Sequence, residues 1–590
     1  VVSRSNIKGR TTSEADMNYP IWDLPASGLL IAFIAIVHVF VSHFAVGGGL
    51  FLVVTEWKAR KEGDGRLLDY VRCHSRFFIL LTLVFGAVTG VGIWFTIGLV
   101  HPSATSSLIN AFVWAWAIEW TFFLTEIAAA LVYYYGWDRL SPRLHMAVGW
   151  IYFGAAFMSL VVINGILSYM LTPGEWIATQ EFWDGFLNPT YWSSLVIRTL
   201  GAMGLAGVYA LFTGSFSRDA ELKRTLSRYA AIWWVLPMAI GLPVSLLWYF
   251  SSAASAGVPV AEIFAADGVG LIAIVASIFK TATTGYTVGQ TALKVAFWSI
   301  LAMVLLTFGL FAFRRDRFGR VATSALMVAA LFSVGGSEWV REDLRKPYVL
   351  GSYMFVNGVR LPAAPGTLAA GSQAPDRFDI DRVNEVGVLK TAGWTRLPAG
   401  IELVSGMSTE DEARVGEEIF RLLCRSCHTV DGYLAIRPLV QGKSASALEG
   451  LIDRLAVPKG PDGKTAAWSR GVELATWRGR RMPPIIGTEA DERALAVYLA
   501  TLGGGDVTRP EIWSETHPGA HLFEDNCEAC HAADADWPIE SRIEGKSETE
   551  IYDALGRLEE LNDMMPPFEG TDEERAALAN YLAKMAGGAR

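Results

Sequence analysis

Apolar residues dominate the first 340 positions in runs long enough to cross a bilayer, which takes about 20 residues. Such runs lie at about 24–56, 77–100, 110–136, 146–172, 190–216, 229–252, 294–313 and 320–340, predicting eight spanning helices. A ninth stretch, "GVGLIAIVASIF" at 268–279, is too short to span and reads as a surface or re-entrant helix. The polar positions between the runs fall into two sets. Loops 57–76, 137–145, 217–228 and 314–320 carry 16 Lys and Arg, whereas 101–110, 173–189 and 253–293 carry Lys280 alone. Basic loops stay on the cytoplasmic side. Eight crossings then place both ends of the chain on the opposite, periplasmic face of a bacterial inner membrane.

Beyond residue 350 the pattern changes. Residues 351–404 include "LPAAPGTLAAGSQAP", a composition that reads as a linker. A tandem repeat follows: "GEEIFRLLCRSCH … RMPPIIGTEADERALAVYLATL" and "GAHLFEDNCEACH … MMPPFEGTDEERAALANYLAKM". Each copy predicts a short helix, a C-x-x-C-H turn, a variable loop, Met-Pro-Pro, an acidic cap and an amphipathic helix. The expected organisation is an N-terminal segment 1–23, a membrane bundle 24–350, a linker 351–404 and two small domains, 405–505 and 506–590. The fold class is all-α: a polytopic helix bundle followed by two small helical domains.

Composition agrees. With 52% hydrophobic and 18% charged residues, the chain is too apolar for a wholly soluble protein of this size. Its 21 Trp suit aromatic belts at the membrane surface. The net charge of −9 is uneven: from Ser405 onward there are 33 acidic against 20 basic residues. No nucleic-acid partner is expected, and an acidic tail favours docking of a basic soluble electron carrier. Residues 1–16 are polar and show no cleavable export signal; Met17 is a candidate start, with the first spanning helix as the signal.

Four of the five cysteines, Cys424, Cys427, Cys527 and Cys530, sit in the two C-x-x-C-H motifs, and Cys73 stands alone near a helix end. This leaves no disulfide framework. In C-x-x-C-H one helical turn presents two thiols to haem vinyl groups, and His428 or His531 supplies the iron ligand. Zinc would need four ligands at one site, and each repeat offers three. The second axial ligand is expected to be Met482 in the first unit and Met565 in the second, with Met564 as its alternative; His/Met ligation suits electron transfer. Both units, at about 405–500 and 508–590, resemble class I cytochrome c domains. Two covalent haems c are therefore expected.

Ionisable residues inside spanning helices are functional candidates. His38 and His43 lie well inside the first run, about 140° apart around a helix, so one haem cannot easily use both. His38 is the candidate ligand. His74, His101 and His145 lie at helix ends and read as interfacial hydrogen-bonding groups. Glu119 and Glu126 are seven apart on one apolar helix face, either satisfied by a neighbouring Tyr or Trp or serving as proton-relay or haem-site carboxylates.

The stretches "IEWTFFLTEIAAALVYYYGWDRLSPRLHMAVGW", "VINGILSYMLTPGEW", "GAVTGV" and "REDLRKPYV" together resemble subunit I of cytochrome bd-type oxidases over about 20–350. The resemblance implies that His38 and Glu342 ligate membrane haem and that Arg345 stands beside it. It implies Met303 as a ligand of a low-spin b haem, and Glu119 and Glu126 as haem- and proton-site carboxylates. It further implies one to three non-covalent haems of b or d type, a second membrane subunit or larger respiratory complex, and a quinone as a further partner. This chain departs from that pattern at three places. Arg198 stands where a histidine is expected, Leu301 where an arginine is expected, and the quinol-handling loop is reduced to 251–293. Two functions follow: electron transfer between periplasmic haems c and the bundle's haems within a respiratory complex, or a terminal oxidase subunit fed by cytochrome c. A quinone-linked membrane anchor of a larger oxidoreductase is a further alternative.

Overall fold

The structure, a computed structural model, describes residues 27–280, 287–314, 316–361, 378–392, 395–397, 407–455, 482–507, 518–531, 539–543, 546–561 and 565–588. The N-terminal segment with Met17, and Met564, lie outside the described residues. Eight helices among the described residues are long and apolar enough to cross a membrane, as predicted: α1 (Gly28–Glu62), α2 (Gly65–Val100), α3 (Val113–Tyr135), α4 (Pro142–Tyr169), α5 (Tyr191–Gly214), α6 (Ala220–Ser255), α7 (Val288–Phe313) and α8 (Arg320–Arg345). The ninth stretch forms a short helix, Leu271–Phe279, which buries Ile274 and Ile278 against the ends of α6 and α7 and does not span.

Two helices begin about ten residues earlier than their apolar runs, because capping rather than hydropathy sets the start. The Asp64 carboxylate accepts from the Leu67 amide at 3.0 Å, and Asp219 accepts from the Glu221 and Leu222 amides. The first turns of α2 and α6 are amphipathic: Leu67, Tyr70 and Val71 are buried while Arg66 and Arg72 are exposed. Both helices then widen into π-helical turns, at Leu80–Gly86 and Ala230–Val235.

After α8 the chain makes a two-stranded antiparallel hairpin, β1 (Tyr348–Leu350) and β2 (Met354–Phe355), pairing Tyr348 with Phe355 and Leu350 with Met354. Two helical units follow. The first is built on helices Thr409–Leu423, Ala445–Leu455 and Glu489–Gly503, and the second on Pro518–Asn526, Glu548–Leu555 and Asp572–Gly588.

The repeat in sequence is a repeat in packing. A Cβ at Gly416 would lie 1.9 Å from the Ala494 carbonyl oxygen and 2.7 Å from Tyr498 Cβ. At Gly519 the matching distances are 2.1 Å to Ala577 O and 2.6 Å to Tyr581 Cβ. Only glycine permits either crossing, and each lies eight residues before the first cysteine of its motif. The last helices also start alike, with reciprocal caps between Thr488 and Asp491 and between Thr571 and Glu574.

Within 351–404, read from composition as a linker, residues 378–392 are structural. Ile380, Val383 and Val388 share a core with Ile419, Phe420 and Leu495. The Val388 amide donates to Asp491, and the Gly487 amide to Asn384. Ordinary Pro/Gly composition hides this, because three buried apolar residues suffice to dock two short helices.

Candidate functional site

In the first unit, helix Thr409–Leu423 runs into Cys424, whose carbonyl accepts from the Cys427 and His428 amides at 3.1 and 3.0 Å. The second unit repeats this turn: Cys530 and His531 donate to the Cys527 carbonyl at 3.1 and 2.9 Å. One turn thus brings two thiols and an imidazole together in each unit. His428 Nδ1 contacts the Leu434 carbonyl at 3.0 Å. A carbonyl only accepts, so Nδ1 carries the proton and Nε2 keeps its lone pair, the tautomer an iron ligand needs. Burial pushes the Cys424 thiol up to about 12, with Cys427 adding to the shift. It is a neutral thiol in an apolar setting, unlike a metal-binding thiolate. All five cysteines are unpaired by disulfide. Met482 and Met565 are each half-buried. These donor sets fit covalent haem.

In the bundle, Glu119, Glu126 and Tyr133 are spaced by seven on α3, and Ser159, Tyr152 and His145 are spaced by seven on antiparallel α4. The two rows meet rung by rung. The Ser159 hydroxyl donates to Glu119 at 2.9 Å, and Tyr152 reaches Glu126 at 3.0 Å. His145 Nε2 donates to the Tyr133 carbonyl at 2.9 Å. The Tyr152 hydroxyl also lies 3.1 Å from the Ala45 carbonyl. One phenolic proton faces two acceptors, so the Tyr152–Glu126 pair is arranged to share a proton. The last rung belongs to a buried knot at the basic-loop end, where Glu56 of α1 accepts from Tyr133 at 2.6 Å, His145 at 2.9 Å and Arg60 at 2.7 Å.

His145, in the first turn of α4, and His74 both hydrogen-bond and are both buried inside the bundle. His74 Nδ1 pairs with Thr213 at 2.9 Å. His101 ends α2 near Arg345, Lys346 and Glu342, and burial with those cations pushes its imidazole down to about 4.

His38 and His43 face different partners. Thr89 of α2 gives its single proton to Phe85 O or Gly86 O, so at 3.1 Å it accepts from His38 Nδ1, which therefore carries the ring proton of the neutral imidazole. Gly90 leaves room beside the ring, since a Cβ there would lie 3.1 Å from it. His43 instead lies in the field of Arg198 and Glu338.

At the far end of α8, Glu338, Arg341, Glu342 and Arg345 recur at the i, i+3, i+4, i+7 spacing of one helix face. Glu342 pairs with Arg345 and with Lys346 at 2.9 Å; Arg341 bonds Glu338 at 2.8 Å, and Arg198 of α5 lies 3.8 Å from it. Buried N–H groups remain without partners on all three arginines: Arg198 Nε, Arg341 Nη1 and Arg345 Nε. Such donors call for an anion, and the carboxylates of a haem fit them. Met303 of α7 is buried with its sulfur 4.0 Å from the Ser333 hydroxyl. Position 198, where an imidazole was expected, holds a guanidinium that cannot ligate iron. The donor set there does not fit a His/Met haem.

Residues 27–262 match the family model of cytochrome bd terminal oxidase subunit I. Residues 514–582 match that of cytochrome c oxidase, cbb3-type, subunit III. Among solved structures, a bd oxidase from Geobacillus thermodenitrificans is similar at 14% identity and a TM-score of 0.45, covering 55% of this chain and 87% of that one. No curated protein matches the chain. The chain is thus a haem-based electron-transfer membrane protein, with a bd-like bundle and a cytochrome c domain. Met303, Glu342 and Arg345 lie beyond the matched bundle residues.

The sequence reading missed Glu338 and Arg341, although their spacing with Glu342 and Arg345 was visible. It missed Glu56, Tyr133, Tyr152 and Ser159 because rungs depend on how two helices register, which one helix pattern does not show.

Proposed function

We propose that this chain passes electrons between two covalent haems c and haem held in the bd-like bundle, as part of a respiratory complex. A haem iron carries one electron by cycling between its ferrous and ferric states. Cys424, Cys427 and His428 would hold the first covalent group, with Met482 opposite; Cys527, Cys530, His531 and Met565 would hold the second. In the bundle, His38 and Glu342 are the proposed iron ligands, with Arg198, Arg341 and Arg345 holding anionic substituents.

One observation carries the reading: Cys427 packs against the core shared by the bundle and the hairpin, so a haem-attachment motif sits on the membrane domain itself. The loop charges support the cytochrome c units lying on the periplasmic side of the inner membrane, opposite the basic loops.

A second reading, reduction of oxygen at the bundle haem, is favoured by the Tyr152–Glu126 pair, a proton-sharing site deep in the membrane. Reduced-minus-oxidised spectra with and without carbon monoxide, plus a pyridine haemochrome assay, separate the two. Two haems c with one or more non-covalent haems and no CO response support electron transfer alone. A CO-reactive high-spin haem supports the oxidase reading, and absence of non-covalent haem overturns both.

A further inference from the structure

The hairpin between bundle and first cytochrome unit has two faces, each built into a different core. Val349, Leu350, Met354 and Val356 pack in the bundle cluster, which Cys427 joins. Tyr348, Phe355 and Val359 pack in the cytochrome cluster, which Cys424 joins, and the Tyr348 and Phe355 rings stack at 4.9 Å. Met354, Phe355 and Val356 alternate with the period of two that a strand imposes, whereas Val349 and Leu350 both face the bundle across the register irregularity between Tyr348 and Leu350. The hairpin is therefore a wall shared by the two domains rather than a tether between them.

It is fastened on both sides. On the bundle side, Arg345 donates to the Val349 carbonyl at 2.9 Å, and the Gly351 amide donates to the Met170 carbonyl at 2.8 Å. Gly351 sits so close to the loop after α4 that a Cβ there would lie 2.2 Å from the Leu171 carbonyl oxygen. Tyr353 meets Trp176 edge-on at 5.1 Å, and Trp176 meets Tyr169 of α4 at 5.1 Å. On the cytochrome side, Asn357 donates to the Leu423 carbonyl at 3.2 Å, one residue before Cys424.

We propose that this hairpin is a rigid mount that holds the first C-x-x-C-H motif on the bundle at the Glu342–Arg345 end, so that electrons cross without any swing of the cytochrome unit. This rests on the electron-transfer reading above. The step would be a one-electron exchange between a ferrous haem c and a ferric bundle haem, with no bond made or broken. Gly351, Tyr353, Trp176 and Asn357 are positioning residues: they set the distance, to which electron tunnelling is steeply sensitive.

The test uses the full haem-loaded chain in lipid nanodiscs. The covalent haems are reduced by flash photoreduction with a soluble dye, and their re-oxidation by the bundle is followed at increasing glycerol viscosity. Hydrogen exchange of the 348–356 amides is measured in parallel. A rigid mount gives a re-oxidation rate independent of viscosity and slow exchange. Asn357→Ala and Gly351→Ala should each keep the covalent haem content, speed amide exchange, and slow the internal transfer at least about tenfold, because small misplacements cost rate steeply. A wild-type rate that falls in proportion to viscosity overturns the mount while leaving the electron-transfer reading intact. If no electron reaches the bundle, that reading fails, and the exchange data alone decide: protected hairpin amides uphold the mount and unprotected ones overturn it.

Discussion

Arg198 of α5 faces Glu338 of α8 at 3.8 Å, with Arg341 on the other carboxylate oxygen at 2.8 Å. This ion group occupies the position at which the bd-type pattern calls for an imidazole, and Met303 keeps its sulfur on Ser333. Met303→Leu is therefore expected to leave the visible spectrum of the bundle haem unchanged, because a buried Met-to-Leu exchange conserves volume. Loss of a low-spin b signal in that variant would reinstate Met303 as a ligand. Arg198→Ala, in contrast, strands the Glu338 charge on one partner and should lower haem retention.

The Tyr152–Glu126 rung is expected to act in proton handling rather than in ligation. Glu126→Gln should retain the full complement of non-covalent haem and abolish proton uptake on reduction, measured with a pH-indicating dye in unbuffered nanodiscs. Tyr152→Phe removes the hydroxyl and not the carboxyl, so it should slow uptake without abolishing it. Haem loss in Glu126→Gln would instead make Glu126 a ligand or a haem anchor.

Glu56 joins three helices at the basic-loop end through Tyr133, His145 and Arg60. Its side chain is fully buried. Removing one partner of a buried pair leaves an uncompensated charge, at a cost of about 3 kcal/mol or more. Glu56→Gln should lower the thermal unfolding midpoint of the detergent-solubilised protein clearly. His145→Gln, which keeps a donor toward Glu56, should cost less. Equal midpoints for Glu56→Gln and the parent protein would show the knot to be energetically idle.

His101 lies outside the spanning helices, and its folded imidazole is pushed down to about 4 from the ordinary value of 6.5. Folding then favours the neutral ring. Its contribution is full above the unfolded value and is lost as pH falls from about 6.5 to about 4, because the unfolded chain binds the proton first. Stability should therefore decline through that window, and His101→Gln should flatten the decline. An unchanged slope in the variant would assign the pH dependence to other groups.

How far such features can be read ahead of structure depends on whether their signal is local. The eight spans and both C-x-x-C-H turns are local: an apolar run of membrane length and a one-turn motif need no partner to be recognised. The Gly416 and Gly519 crossings were implicit in the repeat, since each glycine holds the same offset from its cysteine. The α3–α4 rungs were half legible. Glu119 and Glu126 stood out as carboxyls in apolar surroundings, while Ser159, Tyr152 and His145 acquire meaning only from the antiparallel register. The hairpin was not legible, because Tyr348–Phe355 is short and its two faces bury residues in two domains at once.

Cysteine chemistry separates the motifs before haem is attached. Cys424 is half-buried and its thiol is pushed up to about 12, whereas Cys530 and Cys73 are exposed. The thiolate is the reactive form. In haem-free protein at pH 8, iodoacetamide should label Cys530 and Cys73 readily and Cys424 least, as read by mass spectrometry. After haem attachment, only Cys73 should remain open to label. Labelling of Cys424 in the loaded protein would contradict a thioether there.

Charge distinguishes the two cytochrome units. Residues 405–507 carry 14 acidic and 13 basic residues, whereas 508–590 carry 19 acidic and 7 basic. The second unit is hooked to the first, with Ser444 donating to Glu528 at 3.0 Å, inside the second C-x-x-C-H motif. The first unit packs against the bundle through Cys427 and the hairpin, so we propose the acidic second unit as the port for a basic soluble carrier. Electrostatic steering raises association rates by about 10-fold or more and is screened by salt. Stopped-flow exchange with a basic carrier should therefore slow by about tenfold between low and physiological ionic strength. The exposed residues Glu559, Glu560 and Glu573 contribute to this field. Replacing all three by Gln should lower the rate at low salt and leave it unchanged at high salt, while the internal transfer from unit to bundle stays as it was. A rate indifferent both to salt and to these substitutions would place the port elsewhere.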